Sequence, residues 1–147
     1  MNKQLKMAVF LSRISLGVMF FYAGITKVMN PNWSAAGYLN SAKTFSELFQ
    51  WFASPGNLGW INLVNEWGLT LIGVALLVGF MVRLASVGGV FLMLLYYFPV
   101  LSFPYVGEHS FIVDEHIIYV TAFLVLFASN AGSIWGLDSW TQKRWSK

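Results

Sequence analysis

The chain has 147 residues, 57% hydrophobic and only 10% charged. Soluble domains carry about 25% charged residues, so an ordinary water-soluble fold is excluded, and the length sets one domain over 1–147. There is no Cys, which removes disulfides, CxxC dithiols and thiolate-ligated clusters. The net charge of +3 is small and spread out, so no nucleic acid partner is expected; no metal site is expected either.

A spanning helix needs about 20 largely apolar residues to cross roughly 30 Å of hydrocarbon. Four stretches qualify, at about 7–29, 61–82, 84–101 and 112–133. The first follows a short basic segment with Lys3 and Lys6. Its apolar run is too long for a signal peptide, is interrupted by Arg13 and lacks an A-x-A cleavage site, so it reads as a retained helix. It ends at Asn30-Pro31-Asn32. The second and third meet at Arg83 with almost no loop and predict a tight antiparallel hairpin. Pro99 and Pro104 limit the third.

Between the first two spans, Tyr38, Ala42, Phe45, Phe49 and Phe52 recur at spacings of four and three, one face of a helix. This predicts an amphipathic helix on the outer leaflet, flanked by Trp33, Trp51, Trp60 and Trp67 as interfacial anchors. A loop packed over the mouth of the bundle is the alternative. The expected fold is all-α, an integral membrane four-helix bundle with this outer-surface amphipathic helix between helices 1 and 2.

Orientation follows from the basic residues. With the N-terminus inside, Lys3, Lys6, Arg13, Arg83, Lys143, Arg144 and Lys147 lie at one end, and only Lys27 and Lys43 at the other. Glu47, Glu66, Glu108, Asp114 and Glu115 fall outside and Asp138 inside. Both termini are therefore expected to be cytoplasmic, in a multi-pass protein of the cell inner membrane.

Ionisable residues in spans are costly and usually face the bundle interior. In the first span Arg13, Gly17, Phe20, Gly24 and Lys27 share one face, and the glycines allow a neighbouring helix to come close. Arg13 and Lys27 stand about 21 Å apart along a helix. That is shorter than the hydrocarbon layer, so at least one of them must snorkel or find a partner. The second span places Glu66, Thr70, Gly73 and Leu77 on one stripe; the fourth places His116, Tyr119, Phe123, Leu126 and Asn130. Asp114 and Glu115 in a first helical turn also suit the helix dipole. Antiparallel threading brings Lys27, Glu66, Glu115 and His116 to one depth. A Lys–Glu pair would neutralise both charges there, and His116 and Tyr119 add groups able to relay protons.

Arg13 and Gly17 followed by Phe21, Gly24 and Lys27 resemble the opening signature of the DoxX family. The resemblance continues through Glu66, the run Gly73–Gly79, and Arg83-Leu84-Ala85. The closing stretches 114–119 and 131–138 (Ala131-Gly132-Ser133 and Gly136-Leu137-Asp138) look like the related DoxD subunit attributed to thiosulfate:quinone oxidoreductase. The resemblance implies a four-helix membrane bundle and, in that branch, electron transfer from a sulfur compound to quinone. It marks Arg13, Lys27, Glu66 and His116 as positions of interest.

Three functions follow. The first is a small membrane subunit of a quinone-linked oxidoreductase, with quinone as the only expected cofactor. Its site would be drawn from Lys27, Glu66, Glu115, His116 and Tyr119, with aromatics from Phe20, Phe21, Tyr22, Tyr96 and Tyr97. No redox centre is evident, so such a subunit needs a partner. The second is a non-catalytic anchor, assembly or structural subunit, as a homo-oligomer or with a membrane or redox partner. The third is a small-solute transporter, which the placing of the charges near helix ends disfavours.

Overall fold

A computed structural model describes residues 1–107 and 109–140; Glu108, Lys143, Arg144 and Lys147 lie outside the described residues. Six α-helices run in the order α1 (Lys3–Val28), α2 (Ala36–Asn40), α3 (Ser46–Ala53), α4 (Pro55–Val78), α5 (Val82–Val100) and α6 (Glu115–Ala128). A short hairpin of β1 (Tyr105–Gly107) and β2 (Ser110–Phe111) precedes α6, a small addition to the all-helical expectation. Three helices, α1, α4 and α5, are long and apolar enough to cross a membrane.

The helix ends follow local chemistry. Asn2 caps α1 through a bond from the Leu5 N–H. Its side chain extends the helix four residues ahead of the apolar run. Pro55 opens α4, where its missing N–H costs nothing. Gly79 closes α4 with φ +69, a conformation that glycine adopts freely. The α4–α5 turn is therefore 79–81, and Arg83 lies inside α5, where its guanidinium sits 4.6 Å from the Phe127 ring centroid. Pro99 falls one residue before the end of α5.

Glycines set the tightest contact. A Cβ on Gly24 would strike the Thr70 backbone, one on Gly73 the Phe21 backbone, and one on Gly17 would lie 3.0 Å from Leu77. As one number climbs the other falls by equal steps, so α1 and α4 cross antiparallel at backbone distance. Phe123 similarly fills the space that Gly89 leaves on α5. Helix α6 returns to α1 through Phe20, whose ring meets Phe123 edge-on at 5.0 Å.

The fourth apolar stretch differs from expectation. Its helix covers 14 residues, about 21 Å. Asp114 caps it, and Asn130 at φ 50 turns the chain into a 3-10 turn, Ala131–Ser133. The segment between the first two long helices is also not one helix. It breaks into α2 and α3 because 43–44 are tied elsewhere: the Lys43 N–H donates to the Pro99 carbonyl (2.9 Å), and the Thr44 hydroxyl to the Leu101 carbonyl (2.6 Å). These carbonyls are ones that the end of α5 leaves free. Leu39 and Phe49 then bury against Leu58, Ile61, Leu95 and Phe98, so α2 and α3 pack over the ends of α4 and α5.

Candidate functional site

Two polar clusters sit at opposite ends of the helices. At one end Arg13 is 1% exposed. Its Nη1 donates to the carbonyls of Ala131 (2.7 Å) and Ile134 (3.0 Å), and its Nη2 to that of Trp135 (3.4 Å). Phe10 lies under the guanidinium, 5.2 Å from ring centroid to Cζ. Arg13 thus finds partners instead of snorkelling. It supplies donors to carbonyls of the turn that follows α6, where backbone at membrane depth needs partners within the protein. The same segment holds the α4–α5 turn: Asp138 accepts from the Met81 and Val82 N–H groups at 2.8 and 3.1 Å, and its own N–H donates to the Gly79 carbonyl. A Cβ on Gly132 would strike Asp138, and one on Gly136 would lie 2.7 Å from Arg13. The 131–138 stretch is therefore a structural clamp joining α1, α4, α5 and α6.

At the other end three side chains close a triangle. Lys27 Nζ donates to Asn65 Oδ1 (2.9 Å) and to the Tyr96 hydroxyl (2.8 Å), and that hydroxyl donates to Asn65 Oδ1 (2.8 Å). Since ammonium and phenol both donate, the amide oxygen must face them. The Asn65 nitrogen keeps its hydrogens without a partner among the described residues, and Lys27 has used two of its three. Lys27 also lies over Trp33, 4.8 Å from the ring centroid. Tyr38, in α2, donates its hydroxyl to the Tyr96 carbonyl. Burial, with Tyr96 and Asp114 nearby, pushes that hydroxyl up to about 12 from 10.0.

Two of the triangle's members, Lys27 and Tyr96, line two cavities, and Asn65 lines the larger. The larger, about 420 Å³, is lined mainly by apolar groups, with Trp60, Val64 and Phe91 on its rim and α2 and α3 above it. Those rim residues are 45–65% exposed, the Trp60 value being 46% and that of Phe91 63%. The smaller, about 200 Å³, lies between α1, α5 and α6 and is lined by Phe20, Lys27, Tyr96, His116 and Tyr119. His116 stacks on Tyr96 with ring centroids 5.9 Å apart, and its Nδ1 lies 2.6 Å from Asp114 Oδ2.

The structure therefore brings Lys27, His116 and Tyr119 together. Glu66 is half-buried on α4 and is not in ion-pair contact with Lys27, whose partners are neutral. Glu115 is exposed in the first turn of α6 and lines neither cavity. Asn65 had no sequence signal of its own, being uncharged. The register set by Gly24 against Thr70 places it within a helical turn of Lys27 and is the signal that finds it. No group of three or more His, Asp and Glu suited to a metal occurs among the described residues.

The pattern of cations and glycines on α1, paired to α4 by close packing, is matched by the DoxX family model over residues 8–101. The chain belongs to the DoxX family. This DoxX protein is accordingly a multi-pass membrane protein, and the match covers α1 to α5, stopping short of His116 and the 131–138 clamp. No curated protein and no solved structure matches the chain.

Proposed function

We propose that this DoxX protein is a four-helix inner-membrane bundle with cytoplasmic termini, acting as the small membrane subunit of a quinone-linked oxidoreductase. The larger cavity receives the quinone ring. The observation that carries this reading is the Lys27–Asn65–Tyr96 triangle set in the wall of an apolar cavity whose rim is exposed apolar surface. Small-molecule sites are mostly apolar, about 300–1,000 Å³, with a few fixed polar groups; 420 Å³ suits a substituted ring.

Topology supports the reading. From His116 on α6, level with Lys27, the chain runs to Ala131 in the 3-10 turn beyond it, level with Arg13, so α6 and that turn together cover the same depth as α1 between those cations. Lys3, Lys6, Arg13 and Arg83 gather at one end against Lys27 and Lys43 at the other, a bias that supports an Arg13 end facing the cytoplasm.

The residues fit a quinone. Bound there, it would supply carriage of two electrons and two protons between lipid and a partner. Lys27 and Asn65 each hold an N–H free to meet a ring carbonyl, and the positive charge of Lys27 favours electron density arriving at that oxygen. Tyr96 fixes both by its hydrogen bonds. Trp60, Val64 and Phe91 give the ring and its tail an apolar approach that excludes water. The chain has no Cys, so electrons come from a partner subunit.

The test is to purify the protein in native-lipid nanodiscs, identify copurifying proteins and extract quinones. The expected result is close to one quinone per chain, falling about tenfold, or about 1.4 kcal/mol, in Lys27→Met and Asn65→Leu with helix content unchanged. Quinone at the level of bulk lipid in the unmodified protein, alongside a stable partner, would leave the anchor or assembly role instead.

A further inference from the structure

The smaller cavity has no part in holding the ring, yet it gathers groups suited to proton exchange. Asp114 accepts from the His116 and Ile117 N–H groups, so its carboxylate takes the acceptor part toward the imidazole as well. The 2.6 Å contact then carries the proton on His116 Nδ1. That leaves Nε2 with a lone pair and no hydrogen-bond partner among the described residues. A carboxylate that orients a histidine in this way fixes the tautomer and turns the opposite nitrogen into the acceptor.

His116, Lys27, Tyr96 and Tyr119 all line this cavity. Its volume, about 200 Å³, holds a few waters at about 30 Å³ each, and the polar groups on its wall can bind them. Among the described residues, Lys27 and Tyr96 are the two that line both cavities.

We propose that His116, oriented by Asp114, is the proton-exchange residue of the quinone site, reached through Lys27. This rests on the reading of the larger cavity as the ring site. The transfer balances bond by bond. A Lys27 Nζ–H bond breaks and its proton crosses the smaller cavity, through water, to form an N–H bond at His116 Nε2. The electron pair left on Nζ takes the proton of a ring hydroxyl, whose O–H bond breaks and whose pair stays on oxygen. Lys27 ends unchanged, His116 gains one positive charge and the ring oxygen one negative. Asp114 faces the new imidazolium directly. The other ionisable groups around it are Glu115 and Tyr119 on α6, Tyr96 on α5 and Lys27 on α1, with Glu66 on α4 behind Lys27.

The probe is 5-hydroxy-1,4-naphthoquinone, a ring whose visible colour reports ionisation of its hydroxyl without any redox step, at a pH where an ordinary imidazole is neutral. It is titrated against pH in nanodiscs holding the full chain. In the unmodified protein the bound probe ionises at lower pH than in empty nanodiscs. In His116→Gln the midpoint of the bound probe rises by about one pH unit, while affinity for the ionised probe at high pH is retained. Asp114→Asn, which keeps an N-cap but weakens the base, gives a smaller rise in the same direction. Retained binding with an unmoved midpoint in His116→Gln overturns the proposal and leaves the ring site standing. Loss of binding at every pH in folded His116→Gln also overturns it, since His116 would then be a ring contact. No binding to the unmodified protein, or binding indifferent to Lys27→Met, defeats the ring site itself.

Discussion

Replacing Arg13 by Met removes three hydrogen bonds to backbone carbonyls while keeping most of the apolar stem. Two of them, at 2.7 and 3.0 Å, are short and charge-assisted; the third, at 3.4 Å, is weak. In water-soluble proteins such bonds contribute about 1.5–3 kcal/mol each. In membrane proteins the unfolded chain finds partners too, and measured values fall to about 0.6–1.7 kcal/mol. Removal also leaves the Ile134 carbonyl unpaired, at about 1–3 kcal/mol, while the carbonyl of the fully buried Ala131 keeps the Ile134 N–H at 3.2 Å. Against this stands relief from burying the guanidinium. The net expectation is a loss of about 2–4 kcal/mol, read by reversible detergent unfolding in bicelles with far-ultraviolet circular dichroism and tryptophan fluorescence. Arg13→Lys should recover less than half, because a point charge cannot span carbonyls that a planar fork reaches together. An Arg13→Met protein within about 0.5 kcal/mol of the original would refute the clamp.

Gly73→Ala places a methyl on the Phe21 backbone and should destabilise by about 1–3 kcal/mol, whereas Gly37→Ala, with nothing within 4 Å of the new Cβ, should stay within about 0.5 kcal/mol; equal effects in the same unfolding assay would contradict the close crossing. Tyr38 should ionise near pH 12, not 10.0, seen as the difference between near-ultraviolet titrations of the original and Tyr38→Phe. Because its folded value is raised, its contribution to stability is complete below pH 10 and is lost as pH climbs through 12; a difference curve centred at 10 defeats this. The chain has no Cys, so single cysteines at Lys3 and Ser34 can be labelled with an impermeant maleimide in intact cells. Ser34→Cys should react and Lys3→Cys should not, and the reverse pattern would invert the topology.

Much of the fold was legible because membrane burial imposes simple patterns. Gly17 and Gly24 on the face of Arg13 and Lys27 announced a close helix, and α4 fills that role through Gly73. The clamp was less legible. Its partners are carbonyls of Ala131, Ile134 and Trp135, and a backbone acceptor leaves no mark in side-chain chemistry. The break between α2 and α3 was hidden for a related reason: the apolar stripe from Tyr38 to Phe52 is real, but bonds from 43 and 44 to the end of α5 outweigh continued helix. At the candidate site the charged residues drew attention to Glu66, while the contact to Lys27 belongs to Asn65 next to it. A neutral amide satisfies an ammonium without adding a second charge to bury.

The clamp and the cavities lie at opposite ends of the same helices. Arg13 and Asp138 bind the four long segments together at one end, and the glycines leave α1 and α4 no play along their crossing. At the far end α5 meets α1 and α4 through the side-chain bonds of the Lys27–Asn65–Tyr96 triangle. A residue with no place in the lining of either cavity thus fixes the near ends of the helices whose far ends form their walls.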